Sequence, residues 1–519
     1  MADAVPPEQG ALGRAELQEK AIRGAAWTLV HTLVSVPLAF AVNLVVARML
    51  GVASYGRLAY LSMVMDVASG VVALGIGSAL VQFGAKAHAA GRREEVRQLL
   101  SASQGFRLLV AAPLLSLMVV ALVRVDLTFL LLAVAFGIWV PSALDGALAC
   151  ITIENKTAAG AKVAMVTNLL LQVAVVVALL WFGTADAVWS ARLLAAGALV
   201  ALALVPISPD YRRAVLRPAL PRFPRAFMRY ALPTGVAGLV SWLVLSRTEV
   251  FFLNWLSSAG AVGIFALAFG IAQHLFAPAQ ALIGPLIPAV SGLREVDLEA
   301  VAPAFLRTLR ATSTVIGLVC AAALPLVSVL IPLLYGRPYR ASAPILLVLG
   351  IGSGLLVAAG PVSAFVMARL SARRMLTASL FALAVDVGAA ISLIPLWGTW
   401  GAVVANVGGA MTRLGILLVD EVRHLRLDAR VVAHALLPVG AGAIACGLAW
   451  TAAEATPLAI VPLAIAAGAL SVIVFVVLLR LTGSGLAHDD ALVIARAAPK
   501  GTRRLARLTL RVLTVQPRG

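Results

Sequence analysis

The sequence predicts an all-α polytopic membrane protein of about 14 transmembrane helices: two parallel six-helix lobes and two further C-terminal helices. Three observations carry that expectation. Of 519 residues, 61% are hydrophobic and 12% charged, and the mean hydropathy is +1.00, far from a soluble domain. Apolar stretches near the roughly 20 residues that cross a ~30 Å hydrocarbon core recur along the whole chain. Basic residues collect in alternate connections, as membrane topology demands.

In chain order, Met1 to Lys20 is polar and mixed in charge, without the basic start and short apolar core of a cleavable signal. The first span is therefore expected to remain as an anchor. Candidate spans follow near 24–46, 58–82, 107–123, 127–151, 161–182, 187–206, 230–256, 260–289, 309–334, 343–367, 375–396, 400–419, 433–450 and 456–480. Several contain mid-span prolines, among them Pro37, Pro141, Pro233, Pro325 and Pro361. Membrane helices use these as kinks, whereas soluble helices rarely tolerate them.

The connections set the expected orientation. Of 41 Lys and Arg residues, 33 fall on one side, from Arg14 through the Arg212–Arg229 cluster to the tail beyond Arg480. Only 5 fall on the other: Arg48, Arg57, Arg124, Arg337 and Arg340. This bias predicts a multi-pass inner or plasma membrane protein with both termini cytoplasmic. It also accounts for the net charge of +18, so no nucleic-acid partner is expected. Trp181, Trp189, Trp255, Trp397, Trp400 and Trp450 then fall near the outer ends, as an interfacial belt would.

An internal repeat divides the chain. Tyr55-Gly-Arg-Leu-Ala59 matches Val262-Gly-Ile-Phe-Ala266 at an offset of 207, and the stretch from Trp181 to Val188 matches Leu396 to Val403 at an offset of 215. Each half holds six spans, an even number, so the halves enter the bilayer from the same side as parallel repeats. The expected organisation is an N-lobe at 1–206, a basic linker at 207–229, a C-lobe at 230–419, two more spans at 420–483 and a basic tail at 484–519. In the tail, Arg504, Arg507 and Arg511 share a stripe, but Leu510 and Leu513 do not complete an apolar face, so an interfacial helix is only weakly patterned.

Ionisable groups within apolar spans are the candidate site residues, because each needs a partner or a wet surface. Arg247 and Glu249 stand in the seventh span, but positions i and i+2 diverge on a helix, so they are poorly placed to pair. Arg247 is an anion grip or half of an intramembrane pair. Asp66, Asp145 and Asp386 lie in spans two, four and eleven, where each could bind a cation, relay protons or lock two helices together. Glu249 joins them as a coupling acid, and Asp386 is nearest mid-membrane. Arg413 and Arg192, near span ends, contact cargo or snorkel to the headgroups. His274, mid-span, and His31 are titrating or simply packed. Cys150, Cys320 and Cys446 sit far apart in apolar spans without a ligand-like motif, so no metal, disulfide or cofactor is expected.

Three stretches resemble the multidrug/oligosaccharidyl-lipid/polysaccharide exporter superfamily, and within it the Wzx-type polysaccharide flippases. They are Leu50-Gly51 through Tyr55-Gly56 to Ala59; Arg247-x-Glu249 leading to Val262-Gly263; and Leu334-Tyr-Gly336 with Tyr339, joined by Gly398-x-x-Gly401-Ala402. The sequence departs from the family pattern in having Glu249 where an aspartate is usual and Val262 where the second copy would carry an aromatic. The resemblance implies two lobes alternating about a central cavity, and transport of a polyprenyl-diphosphate-linked oligosaccharide to the outer leaflet. It implies no enzyme activity. Expected partners are the lipid-linked saccharide, membrane lipid, a coupling sodium ion or proton and a polysaccharide polymerase; Arg247, Arg413, Arg192 and His274 would contact cargo.

Rival readings remain at this stage. A lipid II type peptidoglycan-precursor flippase would share the span count and differ in its sugar. A cation-coupled multidrug exporter would favour twelve spans and acidic cavities without intramembrane arginines. A membrane glycosyltransferase would need a sizeable outer loop or acidic motif, but connections such as Thr184-Ala-Asp186 are short. An inactive scaffold is the least demanding alternative.

Overall fold

A computed structural model describes residues 14–144, 146–245, 248–280, 283–369, 372–486 and 513–514. Arg247, Asp145 and the basic stripe of the tail lie outside the described residues. Among those described, the structure is all-α, with a lone backbone bridge between Leu486 and Thr514. Among the described residues, twelve helices are long and apolar enough to cross a membrane. The first runs from Val30 to Ala73, 44 residues, about 66 Å at 1.5 Å per residue and so long enough for two crossings. Its regularity breaks at Gly51, where φ is 74° and ψ 174°, a left-handed conformation that suits glycine.

The chain divides into two compact units, Met1–Leu50 with Arg57–Leu239, and Gly51–Gly56 with Val240–Gly519. The first contains most of α1 (Arg14–Ala73), then α2 (Ile76–Ala89), α3 (Arg93–Phe106), α4 (Ala112–Leu122), α5 (Leu127–Val134), α6 (Val140–Leu144), α7 (Gly146–Ile153), α8 (Thr157–Phe182), α9 (Ala185–Leu199), α10 (Pro209–Val215) and the start of α11 (Arg225–Leu245). Single π-helical turns at Arg107–Ala111 and Ala135–Trp139 join α3 to α4 and α5 to α6. The third span therefore begins at Arg93, well before its apolar stretch. Glu94 and Glu95 occupy its first turn, where they complement the helix dipole, while Val96, Leu99 and Leu100 form a buried face. Arg107, counted among the loop residues in sequence, consequently stands midway along a helix.

The proline- and arginine-rich stretch 207–229 is folded against this unit. Tyr211 is buried, and its hydroxyl shares a 2.8 Å hydrogen bond with His88 Nδ1. The Ser208 amide donates to both Glu154 carboxylate oxygens at 3.2 and 3.3 Å, while Ser101 Oγ donates to the Ala214 carbonyl at 3.0 Å. Tyr211, Val215 and Phe227 join Leu80, Leu100 and Cys150 in one apolar cluster. Trp189, expected in the interfacial belt, is only 1% exposed, whereas Trp181 is 78% exposed. Trp189 faces the interior of the unit from the second turn of α9.

The second unit holds the end of α11, α12 (Glu249–Leu256), α13 (Ala259–Gln280), α14 (Ile283–Val296), α15 (Val301–Leu334), a short 3-10 turn at Arg337–Tyr339, α16 (Ser342–Ala368), α17 (Ala372–Trp397), α18 (Thr399–His424), α19 (Ala429–Glu454) and α20 (Ile460–Thr482). α16 is its central strut, buried along most of its length, whereas α17 is largely exposed. It packs on α13, α14, α15 and α18, while α19 and α20 pack on α15. Parts of the motif stretches noted in the sequence meet within this unit. Tyr55 and Tyr339 meet edge-on with centroids 6.3 Å apart, and Tyr335 meets Tyr339 at 6.0 Å. Ser342 Oγ, one turn further, donates to the Ile264 carbonyl at 3.1 Å.

Candidate functional site

Inside the second unit, the first turn of α12 packs against α17 and α18 and places four polar side chains together. Glu249 is fully buried, with Asp386, Asn406 and Thr248 at 3%, 4% and 7% exposure. Asn406 Nδ2 donates to Glu249 Oε1 at 2.7 Å. Thr248 Oγ1 donates to Asp386 Oδ2 at 3.0 Å. The two carboxyl groups are therefore neighbours in one buried cluster. α18 can come this close because of Gly409, where a Cβ would stand 3.0 Å from that of Asp386.

This geometry has a chemical consequence. Glu249 Oε2, Asp386 Oδ1 and Asn406 Oδ1 are buried and lack a hydrogen-bond donor among the described residues. Two ionised carboxylates in contact repel, and neither has a proton to offer the other. The contact is favourable only with a shared proton or a cation between them. The donor set of two carboxylates, an amide oxygen and a hydroxyl is all oxygen, which suits a proton or a hard cation and not a thiolate- or imidazole-seeking metal. Among the described residues, no three His, Cys, Asp or Glu side chains gather as a metal cluster.

Arg413 lies seven residues beyond Asn406 on α18, two turns or about 10 Å along the helix and on nearly the same face. It is 6% exposed, so it does not snorkel. Its Nε is sealed from solvent, and Arg413 makes no hydrogen bond or ion pair among the described residues. A buried guanidinium without an anion is costly. The site thus combines a buried acid pair with a buried arginine, two turns further along α18, that has no ion pair among the described residues.

The structure brings Glu249 and Asp386 together and sets Arg413 on the same helix as their partner Asn406. Asp66 on α1 and Arg192 on α9 are exposed residues of the first unit, each with other interactions, and take no part in the four-residue cluster. His274, half-buried on α13, likewise engages other partners. Thr248 and Asn406 were not singled out from sequence. Asn406 carried a usable signal, a lone amide in an apolar span three residues before a glycine, whereas Thr248 carried none.

Long apolar helices with ionisable groups in their interior place the chain in the class of polytopic membrane proteins. The family comparison narrows this: the model for the family described as "Polysaccharide biosynthesis protein" matches residues 21–293, and the chain belongs to that family. No curated protein matches the sequence. Among solved structures, the chain is similar to the lipid II flippase MurJ in an inward closed conformation, at 13% identity and a TM-score of 0.66, covering 88% of this chain and 98% of that one. It is also similar to a MATE transporter of Vibrio cholerae, at 17% identity and a TM-score of 0.53, covering 80% and 99%. A third similar structure is an inward-facing multidrug resistance MATE family transporter of the MOP superfamily, at 15% identity and a TM-score of 0.54, covering 78% and 98%. At these identities the likeness establishes a shared fold.

Proposed function

We propose that the protein moves a polyprenyl-diphosphate-linked oligosaccharide from the cytoplasmic to the outer leaflet by alternating access, supplying cell-surface polysaccharide synthesis. The observation that carries this reading is Arg413, a buried arginine without an anionic partner among the described residues, in a member of a polysaccharide biosynthesis family. Arginine grips phosphate oxygens through a planar fork of donors, and a diphosphate supplies the missing negative charge. A sugar headgroup cannot cross hydrocarbon without losing its hydrogen bonds to water, so it needs a polar path through protein. Arg247, outside the described residues, is assigned the same anion-binding role from its place in the seventh span.

The acid pair Glu249–Asp386 is the proposed coupling site, loaded by a proton or sodium ion. An inside-negative potential also favours outward movement of about two negative charges, by ~4–5 kcal/mol at 100 mV. A multidrug exporter for cationic cargo is disfavoured, because an unneutralised buried arginine repels such cargo.

The decisive experiment is to deplete the protein and identify the lipid-linked saccharide that accumulates on the cytoplasmic face. Accumulation of a polymer repeat unit supports the reading; accumulation of the peptidoglycan precursor moves it to that substrate. If no lipid-linked sugar accumulates and cells become sensitive to cationic drugs, the flippase assignment is wrong. In proteoliposomes, Arg413→Gln and Arg247→Ala should each lower flipping of a lipid-diphosphate saccharide by at least about tenfold, the loss of one charge-assisted contact.

A further inference from the structure

The basic end of α17 and α18 carries a second feature, distinct from the acid pair. Arg369, just past the end of α16, reaches Asp420 at 2.5 Å and Glu421 at 3.0 Å. Arg374 on the first turn of α17 pairs with Asp420 as well, and Arg294 on α14 pairs with Glu421 at 2.9 Å. Glu421 is wholly buried and Arg294 and Arg369 nearly so, so this lattice fixes three helix ends to α18. It borders an open cavity of about 660 Å³.

The cavity is two-sided in chemistry. One wall is cationic. Of the residues lining it, Arg369, Arg374 and Arg423 set three positive charges against the single negative charge of Asp420, a local excess of two. Arg423 lines the cavity, is exposed, and makes no ion pair among the described residues. The other wall is apolar and opens along the outward faces of the two helices. Val419 is 48% exposed, and nothing stands within 4 Å of where a Cβ on Gly415 would lie. Beyond them continue Met411 on α18 and Leu380 and Phe381 on α17, all substantially exposed. Both helices are long and apolar enough to cross a membrane, so the cationic wall sits at headgroup level and the apolar strip at acyl-chain level.

We propose that this cavity is a binding site for an anionic phospholipid, with the phosphodiester held by Arg423 and the free face of Arg374 and an acyl chain laid along Gly415, Val419 and Phe381. A soluble anion would have no use for the apolar wall, and a zwitterionic lipid would leave the charge excess uncompensated. The lattice already neutralises the acids, so the site is preformed and is independent of the cargo chemistry argued above. Bound lipid would tie together the ends of α17 and α18, the helices that carry Asp386 and Asn406 further along.

The test uses the full chain, purified and reconstituted in nanodiscs, with bound lipid counted by native mass spectrometry and stability followed by thermal unfolding. Wild-type protein should retain phosphatidylglycerol in preference to phosphatidylcholine. Arg423→Gln, outside the ion-pair lattice, should bind phosphatidylglycerol about fivefold more weakly, the effect of one basic residue near an anionic headgroup. Gly415→Leu keeps every charge and fills the apolar wall; it should abolish the preference while its melting temperature in phosphatidylcholine stays at the wild-type value. Equal retention of the two lipids by wild type overturns the proposal. Displacement of phosphatidylglycerol by millimolar inorganic phosphate shows a soluble-anion site, and displacement by an equal concentration of farnesyl diphosphate shows a cargo site; either result overturns it.

Discussion

Gly56 and Gly263 pack backbone against backbone: a Cβ added to Gly56 would lie 2.7 Å from the Gly263 nitrogen, and one added to Gly263 would collide with the Val52 carbonyl. These are the residues that the internal repeat sets in equivalent positions. Their shared glycine therefore has a steric reason, since neither backbone can yield to the other's side chain. Gly56→Ala is predicted to cost about 1–3 kcal/mol through overpacking. Gly440→Ala, at a helical glycine with open space around it, should be neutral or stabilising by up to about 1 kcal/mol. Thermal unfolding of the two variants in one detergent checks the contrast; equal melting temperatures would contradict the packing argument.

The aromatic cluster beside this contact predicts a loss of stability in alkali. Tyr339 lies in the turn after α15, is 1% exposed, and burial raises its phenol above the ordinary range, helped by the neighbouring Tyr55 and Tyr335. In the unfolded chain the group ionises near pH 10, while in the folded protein it keeps its proton. Above about pH 10 the folded state therefore binds more protons than the unfolded state, and stability falls as pH rises. Tyr339→Phe should flatten that fall between about pH 9.5 and about 11. Parallel melting-temperature curves for wild type and variant would show that another group sets the alkaline limb.

The acid pair yields a paired prediction. Asn406→Ala removes the donor to Glu249 Oε1 and should destabilise the fold by about 1–3 kcal/mol, the cost of an unsatisfied buried acceptor. Asp386→Asn replaces one acceptor with an amide that can donate to Glu249, so the contact no longer needs a shared proton or cation. That variant should fold at least as stably as wild type while transport, or the stability of the purified protein, loses its response to sodium and pH. A retained response would place the coupling ion elsewhere.

Much of the second unit's site was readable as anomaly and little of it as arrangement. Glu249 and Asp386 stood out because charges in apolar spans are rare, but nothing in the spacing joined residues 137 positions apart. Of their neutral partners, Asn406 offered only the weaker signal of a lone amide in an apolar span and Thr248 offered none. The all-α class followed from helix-length apolar stretches, yet depth within the bundle did not: α16 and α17 are similarly apolar, and one is the buried strut while the other faces outward. Hydropathy measures transfer from water, and lipid and protein interior are equally apolar. The 207–229 stretch looked like a linker because prolines and arginines dominate its composition, which hid the anchoring of Tyr211 and Phe227. Arg413 looked free to snorkel because of its place near a span end, whereas its helical face, shared with Asn406, turns it inward.

That inward turn makes Arg413 the sharpest test of function against stability. A buried charge without a partner lowers the stability of the fold that contains it, so a protein under selection for stability alone would lose it. Arg413→Met has comparable length and apolar character and removes the unpaired charge; it is predicted to raise stability by about 1–4 kcal/mol, as when buried ionic groups give way to well-packed apolar ones. If Arg413 holds the anion of the cargo, the same variant must lose transport. Arg413→Lys, which keeps the charge but not the planar fork, should fold like wild type and transport at an intermediate rate. Melting temperature and vesicle flipping rate measured on the same three preparations decide between roles. Higher stability with lost transport identifies a functional charge; lower stability with intact transport shows that Arg413 is held by packing of its aliphatic stem and belongs to the fold.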